Sequence, residues 1–168
     1  MKSKLQLPRS LSEEEFTLLL KNTRKLKHRI AFLIAFESGL RISEICNLKA
    51  DDIDFKGRRI LIRNGKGGKD RITALGKSFK PKFLKYIPIF LTPRSLQRSF
   101  KRAQMLAGID RAELSFHSLR HSFAVRLLER GMALNELQML LGHSNLSTTS
   151  IYVRARPESA LRSYEQYF

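Results

Sequence analysis

The residues of this chain best suited to chemistry are cations and a tyrosine, gathered in a few short segments. In His117-Ser118-Leu119-Arg120-His121 the two histidines have the i, i+4 spacing of helical zinc ligands. Position 118 is serine rather than the glutamate such a site uses as base, and no acidic cluster supplies a third ligand. His117 and Arg120 share a helix face and fall in a first turn, where the helix dipole favours an anion. A phosphate suits all three features better than a metal does. Arg41, in Ser38-Gly39-Leu40-Arg41-Ile42-Ser43-Glu44, lies between an apolar helix with a glycine stop and a capped one. It reads either as a surface partner of Glu44 or as an arginine held by rigid neighbours, which is what a phosphate clamp needs. Gly65-Lys66-Gly67-Gly68-Lys69 lacks the spacing of a nucleotide-binding P-loop and alone is an ordinary turn. His143, after Leu140-Leu141-Gly142, reads alone as a helix cap, and Tyr152, between Ile151 and Val153, as core or as nucleophile.

Charge narrows the partner. Lys plus Arg number 32 against 15 Asp plus Glu, a net charge of +17 and a pI near 10.6. A polyanion is the usual reason to tolerate such self-repulsion, nucleic acid ahead of an anionic membrane surface. Between Lys56 and Arg71 seven basic residues face one acid, Asp70, and from Ile72 to Ile109 there is no carboxylate at all. Arg94, Arg98 and Arg102 recur every four residues, so they share a helix face opposite Leu96, Phe100, Ala103 and Ala107. With no local acid to pair, that face reads as phosphate-tracking rather than merely solvated. The single Cys46 can form neither an intrachain disulfide nor a cysteine zinc cluster, which fits a reducing compartment and a small buried side chain. No apolar run reaches the ~18 residues of a membrane span, and the start of the chain has no secretory signal pattern. A soluble, intracellular product is expected.

The elements that must position these residues follow from caps and periodicity. Ser12 and Glu15 form a capping box, with Leu11 and Phe16 as a hydrophobic staple, so a helix starts at Ser12. A second runs from about Lys27 to Ser38, apolar on nearly every face and therefore central, and Gly39 stops it. A short third begins near Ser43. Ile53, Phe55, Ile60, Ile62, Ile72 and Ala74, broken by glycine turns, predict two or three short antiparallel strands. Helices are then expected over Lys77–Tyr86 (interrupted by Pro81), from Thr92-Pro93 to Gly108, over His117–Arg130, Ala133–Leu141 and Ser147–Tyr152, and from Pro157. The fold class is mainly α with a small antiparallel β-sheet (α+β), one domain over 1–168, with an N-terminal extension (1–10) and a C-terminal helix or tail (157–168).

Taken in order, Gly-Leu-Arg-Ile-Ser-Glu, Gly-Lys-Gly-Gly-Lys, His-Ser-Leu-Arg-His-Ser-Phe-Ala, Leu-Leu-Gly-His-Ser and Ser-Thr-Thr-Ser-Ile-Tyr resemble the catalytic domain of tyrosine recombinases, the phage-integrase and Xer-like enzymes. The likeness runs from about Leu7 to the end. It implies the DNA breaking-rejoining fold and assigns Arg41 as the first arginine, Lys66 as the hairpin lysine and general acid, His117 and Arg120 as the His-x-x-Arg pair, His143 as the second histidine, and Tyr152 as the nucleophile. In this chemistry, tyrosine attacks a DNA phosphodiester and arginines and histidines stabilise the crowded, more negative phosphorane electrostatically. A 3′-phosphotyrosyl bond conserves the phosphodiester energy, so neither metal nor ATP is required and no cofactor is expected. Lys69, Arg71, Arg94, Arg98, Arg102 and His121 are expected to contact double-stranded DNA.

The same resemblance implies a tetrameric synaptic complex on DNA, built by exchange of C-terminal helices, and a cytoplasmic, nucleoid-associated protein of prokaryotic, archaeal or viral origin; with no core-binding domain to hold partners, a monomer is expected in solution. Relative to the family, the N-terminal core-binding domain is expected to be absent, and the connection from Lys66 to His117 is short. Two rival readings are a type IB topoisomerase, which uses similar chemistry, and a noncatalytic DNA-binding module of the same fold. An RNA-binding protein would explain the charge but not the ordered motifs.

Overall fold

The computed structural model describes residues 9–63 and 70–142. Its chain order is α1 (Glu13–Lys21), α2 (Leu26–Ser38), α3 (Ile42–Asn47), a 3₁₀ turn (Ala50–Asp52), strands β1 (Ile53–Asp54), β2 (Arg59–Ile62) and β3 (Arg71–Ala74), a 3₁₀ helix (Pro81–Tyr86), then α4 (Pro93–Leu106), α5 (His117–Glu129) and α6 (Leu134–Leu141). The mainly helical class with a small antiparallel sheet is what the sequence predicts.

α2 is the centre. Ile30, Ala31, Phe32, Ile34, Ala35 and Phe36 are all buried, so every face of the helix meets protein. Phe16 of α1 stacks on Phe36 with ring centroids 3.7 Å apart. Phe32 meets Phe100 of α4 at 6.0 Å and Phe116, just before α5, at 5.6 Å, both edge-on. Burial of one such side chain contributes about 1.5–3 kcal/mol, so these rings fix where α4 and α5 start relative to α2. A smaller cluster of Phe123, Ala124, Leu137 and Leu141 joins α5 to α6.

The sheet has the order β1-β2-β3, antiparallel throughout, with Ile53 opposite Ile60 and Leu61 opposite Ile72. It is fastened to the end of α2 by Ser38: the Thr73 hydroxyl donates to the Ser38 carbonyl at 2.8 Å, and the Gly76 amide donates to the Ser38 hydroxyl at 3.1 Å. One residue further on, Gly39 ends the helix at φ +71°, the left-handed conformation an L side chain resists. The turn it makes delivers Arg41 to the start of α3.

The capping box at Ser12 is formed. Three expectations need correction. The segment 77–86 is no α-helix: Pro81, which lacks an amide donor, instead opens a 3₁₀ helix that ends at Tyr86, before the cis Ile87–Pro88 bond. At the C-cap of α4, Ala107 is only half-buried, and the polar Gln104 is buried beside Ala103. Its amide donates to the carbonyls of Ile109 (3.2 Å) and Arg111 (2.6 Å), so its polar group is matched. Cys46 is half-buried against the core rather than fully inside, and burial pushes its thiol pKa up. The helices expected over 147–152 and from Pro157 lie outside the described residues. No helix among the described residues is long and apolar enough to cross a membrane.

A Cβ at Gly39 would sit 2.5 Å from Cδ1 of Phe123, and the positive φ adds strain. Gly39→Ala should therefore destabilise the fold by roughly 2–4 kcal/mol, read as a lowered denaturant midpoint with an unchanged m-value. A wild-type midpoint would show that this turn is not the constraint described.

Candidate active site

Three of the residues singled out by sequence, Arg41, His117 and Arg120, line one cleft of about 420 Å³ together with Ser43, Gln97 and Lys101. They come from segments that are remote in sequence. Arg41 is the N-cap of α3, His117 opens α5, and Arg120 lies one turn further along α5.

Arg120 is buried, and its position is set by helix ends. Nη1 donates to the Gly39 carbonyl at 2.5 Å and Nη2 to the Leu141 carbonyl at 2.7 Å, the C-terminal ends of α2 and α6. Helix C-termini carry partial negative charge, so both contacts favour a buried cation. Arg41 is half-buried, and its Nη1 donates to Glu44 Oε1 at 2.8 Å. This is the partner considered from the sequence, but the pair is not a surface one, since the Glu44 side chain is only 8% exposed.

Arg71 departs furthest from expectation. Grouped with the DNA-contacting surface cations, it instead has a side chain only 8% exposed, turned inward. Its Nη1 and Nη2 donate to the two oxygens of Glu44 at 2.7 and 2.8 Å, and Nε donates to the Leu140 carbonyl at 2.9 Å. The planar fork of a guanidinium matches a carboxylate in this way, which a lysine could not do. Glu44 Oε2 also accepts the Arg41 amide at 2.7 Å, and Arg120 Nη1 stands 3.9 Å from it. Burial alone would raise the Glu44 pKa, but hydrogen bonds from Arg71 and from the Arg41 backbone, with the charge of Arg71, hold it at about 2. One carboxylate among three guanidiniums leaves the cluster net positive beside the cleft.

His117 lines the cleft as the first residue of α5 and packs edge-on against His121, with centroids 4.6 Å apart. Withdrawal from water, then the charges of Arg120 and Arg41, push its pKa below the ordinary histidine value. A neutral imidazole at physiological pH retains both a donor and an acceptor nitrogen. Among the described residues no three His, Cys, Asp or Glu side chains gather as a metal site.

Arg94, Arg98 and Arg102 are exposed on α4, as expected, and the first two line a neighbouring hollow of about 210 Å³ with Thr92 and Ser95. Lys66, Lys69, His143 and Tyr152 lie outside the described residues. Three cleft residues, Ser43, Gln97 and Lys101, escaped the sequence reading. Gln97 and Lys101 carry a legible signal, since with Arg94 and Arg98 they complete an i, i+3, i+4, i+7 face. Lys101 is also tied down, its ammonium donating to the carbonyls of Leu114 (2.5 Å) and Ala112 (3.2 Å) ahead of α5.

A mostly helical body with an edge sheet, holding arginines and a histidine at helix ends around one cleft, defines a class that the comparisons make specific. The Phage integrase family matches residues 9–87 and 90–159, and the chain belongs to that family. Among its relatives, the tyrosine recombinase XerA of Pyrococcus horikoshii is 33% identical over 178 residues, covering 95% of this chain and 61% of that protein. XerA of Thermococcus kodakarensis is 37% identical over 181 residues, covering 95% and 63%. The chain thus spans about three-fifths of the length of these relatives. In three dimensions it is similar to a crystal structure of XerA recombinase (TM-score 0.78, 26% identity, 99% of this chain and 65% of that one). It is likewise similar to the catalytic domain of bacteriophage HP1 integrase (TM-score 0.71, 25% identity, 94% of each).

The inward pairing of Arg71 and the exposure of Arg94 give opposite expectations for stability. Arg71→Met strips Glu44 of its bidentate partner and should cost about 3–5 kcal/mol, whereas Arg94→Ala should stay within about 0.5 kcal/mol of wild type. Chemical denaturation of both variants checks this, and equal effects would contradict the pairing.

Proposed function

We propose that this chain is the catalytic domain of a tyrosine recombinase, cleaving and rejoining double-stranded DNA through a 3′-phosphotyrosyl intermediate. The observation that carries the reading is the convergence of Arg41, His117 and Arg120 on one cleft beside a net positive cluster. Relatives bear the name tyrosine recombinase, and a structural neighbour of 29% identity and TM-score 0.74, XerH, is described as bound to its difH substrate before cleavage.

In this reading the scissile phosphate enters the cleft, and its non-bridging oxygens accept from the guanidiniums of Arg41 and Arg120 and from the imidazole of His117. The hydroxyl of Tyr152 gives up its proton to water as its oxygen attacks phosphorus, a P–O bond to tyrosine forms, and the bond to the 5′ oxygen breaks. Lys66 gives the leaving oxygen its proton, and His143 adds a further donor to the phosphorane. Charge that develops on those oxygens is met by donors already in place, where such preorganised contacts are worth several kcal/mol each. The arginines supply the positive charge, so the reaction calls for neither a metal nor a nucleotide. Lys69, Arg94, Arg98, Arg102 and His121 extend contact along the duplex. Subunits assemble on DNA as a multimer, a tetramer in the full reaction, with residues 157–168 lent to a neighbour, and the protein acts in the cytoplasm on the nucleoid.

A nicked suicide duplex that loses its cleaved end tests the reading. Wild-type protein should shift to a covalent adduct on a denaturing gel, and Tyr152→Phe should abolish the adduct while keeping the wild-type unfolding temperature. No adduct from wild type, or an undiminished one from the phenylalanine variant, would overturn it.

A further inference from the structure

We propose that Phe90 is a DNA contact, an aromatic ring held outside the protein to pack into a groove of the duplex beside the cleft. The inference rests on the reading of the cleft as a DNA-cleaving site and extends the contact surface beyond it.

Phe90 is 81% exposed, although it sits between a fully buried Ile89 and a half-buried Leu91 that fix its backbone. Its φ is +53°, in the left-handed region where a bulky L residue is an outlier. The ring therefore contributes almost no burial to the fold and occupies a backbone conformation that opposes it. Strain retained without compensating burial is characteristic of positions that serve a ligand. Single exposed apolar residues are common, and exposure alone would mean little; the conformation and the surroundings distinguish this one.

Those surroundings are cationic on both sides. The Lys27 ammonium lies 5.7 Å from the Phe90 ring centroid, within cation–π range. Lys27 belongs to the start of α2, where Arg24 and Lys25 precede it, and no carboxylate occurs between Phe16 and Phe36. On the other side α4 begins at Pro93, with Arg94 and Arg98 exposed. The two helix starts are linked, since His28 Nε2 and Ser95 Oγ are 3.2 Å apart. A ring framed in this way suits a polyanion with apolar faces between its charges, and a nucleic acid duplex has that chemistry.

Position along α4 connects the ring to the cleft. Gln97 and Lys101 line the cleft, while Arg94 and Arg98, on the same helix face, line the next hollow toward the N-terminus. Continuing in that direction leads to Phe90. At 1.5 Å per helical residue and at most ~3.5 Å per extended one, Phe90 lies within roughly 17 Å of Gln97. One DNA strand advances ~3.4 Å per nucleotide, so that span corresponds to no more than about five nucleotides. In a groove the ring packs on the apolar faces of the sugars with little regard to sequence, and adds a contact that does not depend on counterion release.

The chain contains no tryptophan, so Phe90→Trp creates a single fluorescent reporter at the site. With a dye-labelled 30-base-pair duplex, the Phe90→Trp variant should bind like wild type by anisotropy, and its tryptophan emission should be quenched along the same titration curve. Phe90→Ala should bind roughly tenfold more weakly, as expected for loss of one aromatic contact, with an unchanged unfolding temperature and an unchanged slope of log affinity against log salt. Unquenched emission in a bound complex, together with wild-type affinity for Phe90→Ala, would overturn the proposal. Covalent adduct formation by the wild type would then leave the reading of the cleft standing. Emission that changes with protein concentration in the absence of DNA would also overturn it, in favour of a contact between copies of this chain. If wild-type protein bound no duplex at all, both readings would fall together.

Discussion

The carboxylate of Glu44 offers about four acceptor sites, and Arg71 and Arg41 fill them, Arg71 with two guanidinium donors and Arg41 with one guanidinium donor and its own amide. Removing a charge from water costs several kcal/mol, which a single loose pair would not recover. Here the cost is offset by a bidentate fork on one side and a helix cap on the other. The outcome is geometric as much as energetic. α3, β3 and the last turn of α6 are drawn to one point, because Arg71 reaches the Leu140 carbonyl with its third nitrogen. With Glu44 saturated by its two close partners, Arg120 feels it only at 3.9 Å and keeps its own hydrogen bonds to helix ends.

The chain from Ser38 to Arg41 is where these constraints meet. Ser38 holds the sheet, the Gly39 carbonyl holds Arg120, Gly39 itself leaves room for the Phe123 ring, and Arg41 enters the cleft. A largely buried α2 places that short stretch, and the phenylalanine contacts to α4 and α5 bring the opposite wall of the cleft to it. The placement of these cations therefore comes from the core.

Much of this was legible in the sequence, for local reasons. The Ser12 cap, the apolar run of α2, the glycine stop at 39 and the proline start of α4 are all short-range signals, and each marks an element that forms. The ordered motifs identified the family and placed Arg41, His117 and Arg120 in one site before any geometry was known. What local reading missed depends on partners distant in sequence. Arg71 stands in a run of basic residues, and charge counting put it on the surface; its partner Glu44 is 27 residues away and gives no periodic signal. Glu44 is the only carboxylate between Ser38 and Ala50, where the other charged residues are Arg41 and Lys49, and that isolation was the one available hint. Gln104 is a similar case, a polar residue on an apolar face that becomes intelligible once the carbonyls of Ile109 and Arg111 are seen above it.

The most direct test of the organising role of Glu44 is the titration of its own carboxyl carbon by ¹³C NMR. The hydrogen bonds and charges around it lower its pKa from 4.5 to about 2. A depressed carboxyl contributes stability that is present in full above its unfolded value and is lost as pH falls through the folded one. The Glu44 resonance should therefore titrate with a midpoint near 2, and the stability contributed by this group should decline between pH 4.5 and 2 and not above that window. A midpoint at the ordinary value of 4.5 would contradict a carboxylate clamped between Arg41 and Arg71, and with it the account of how the cleft is held.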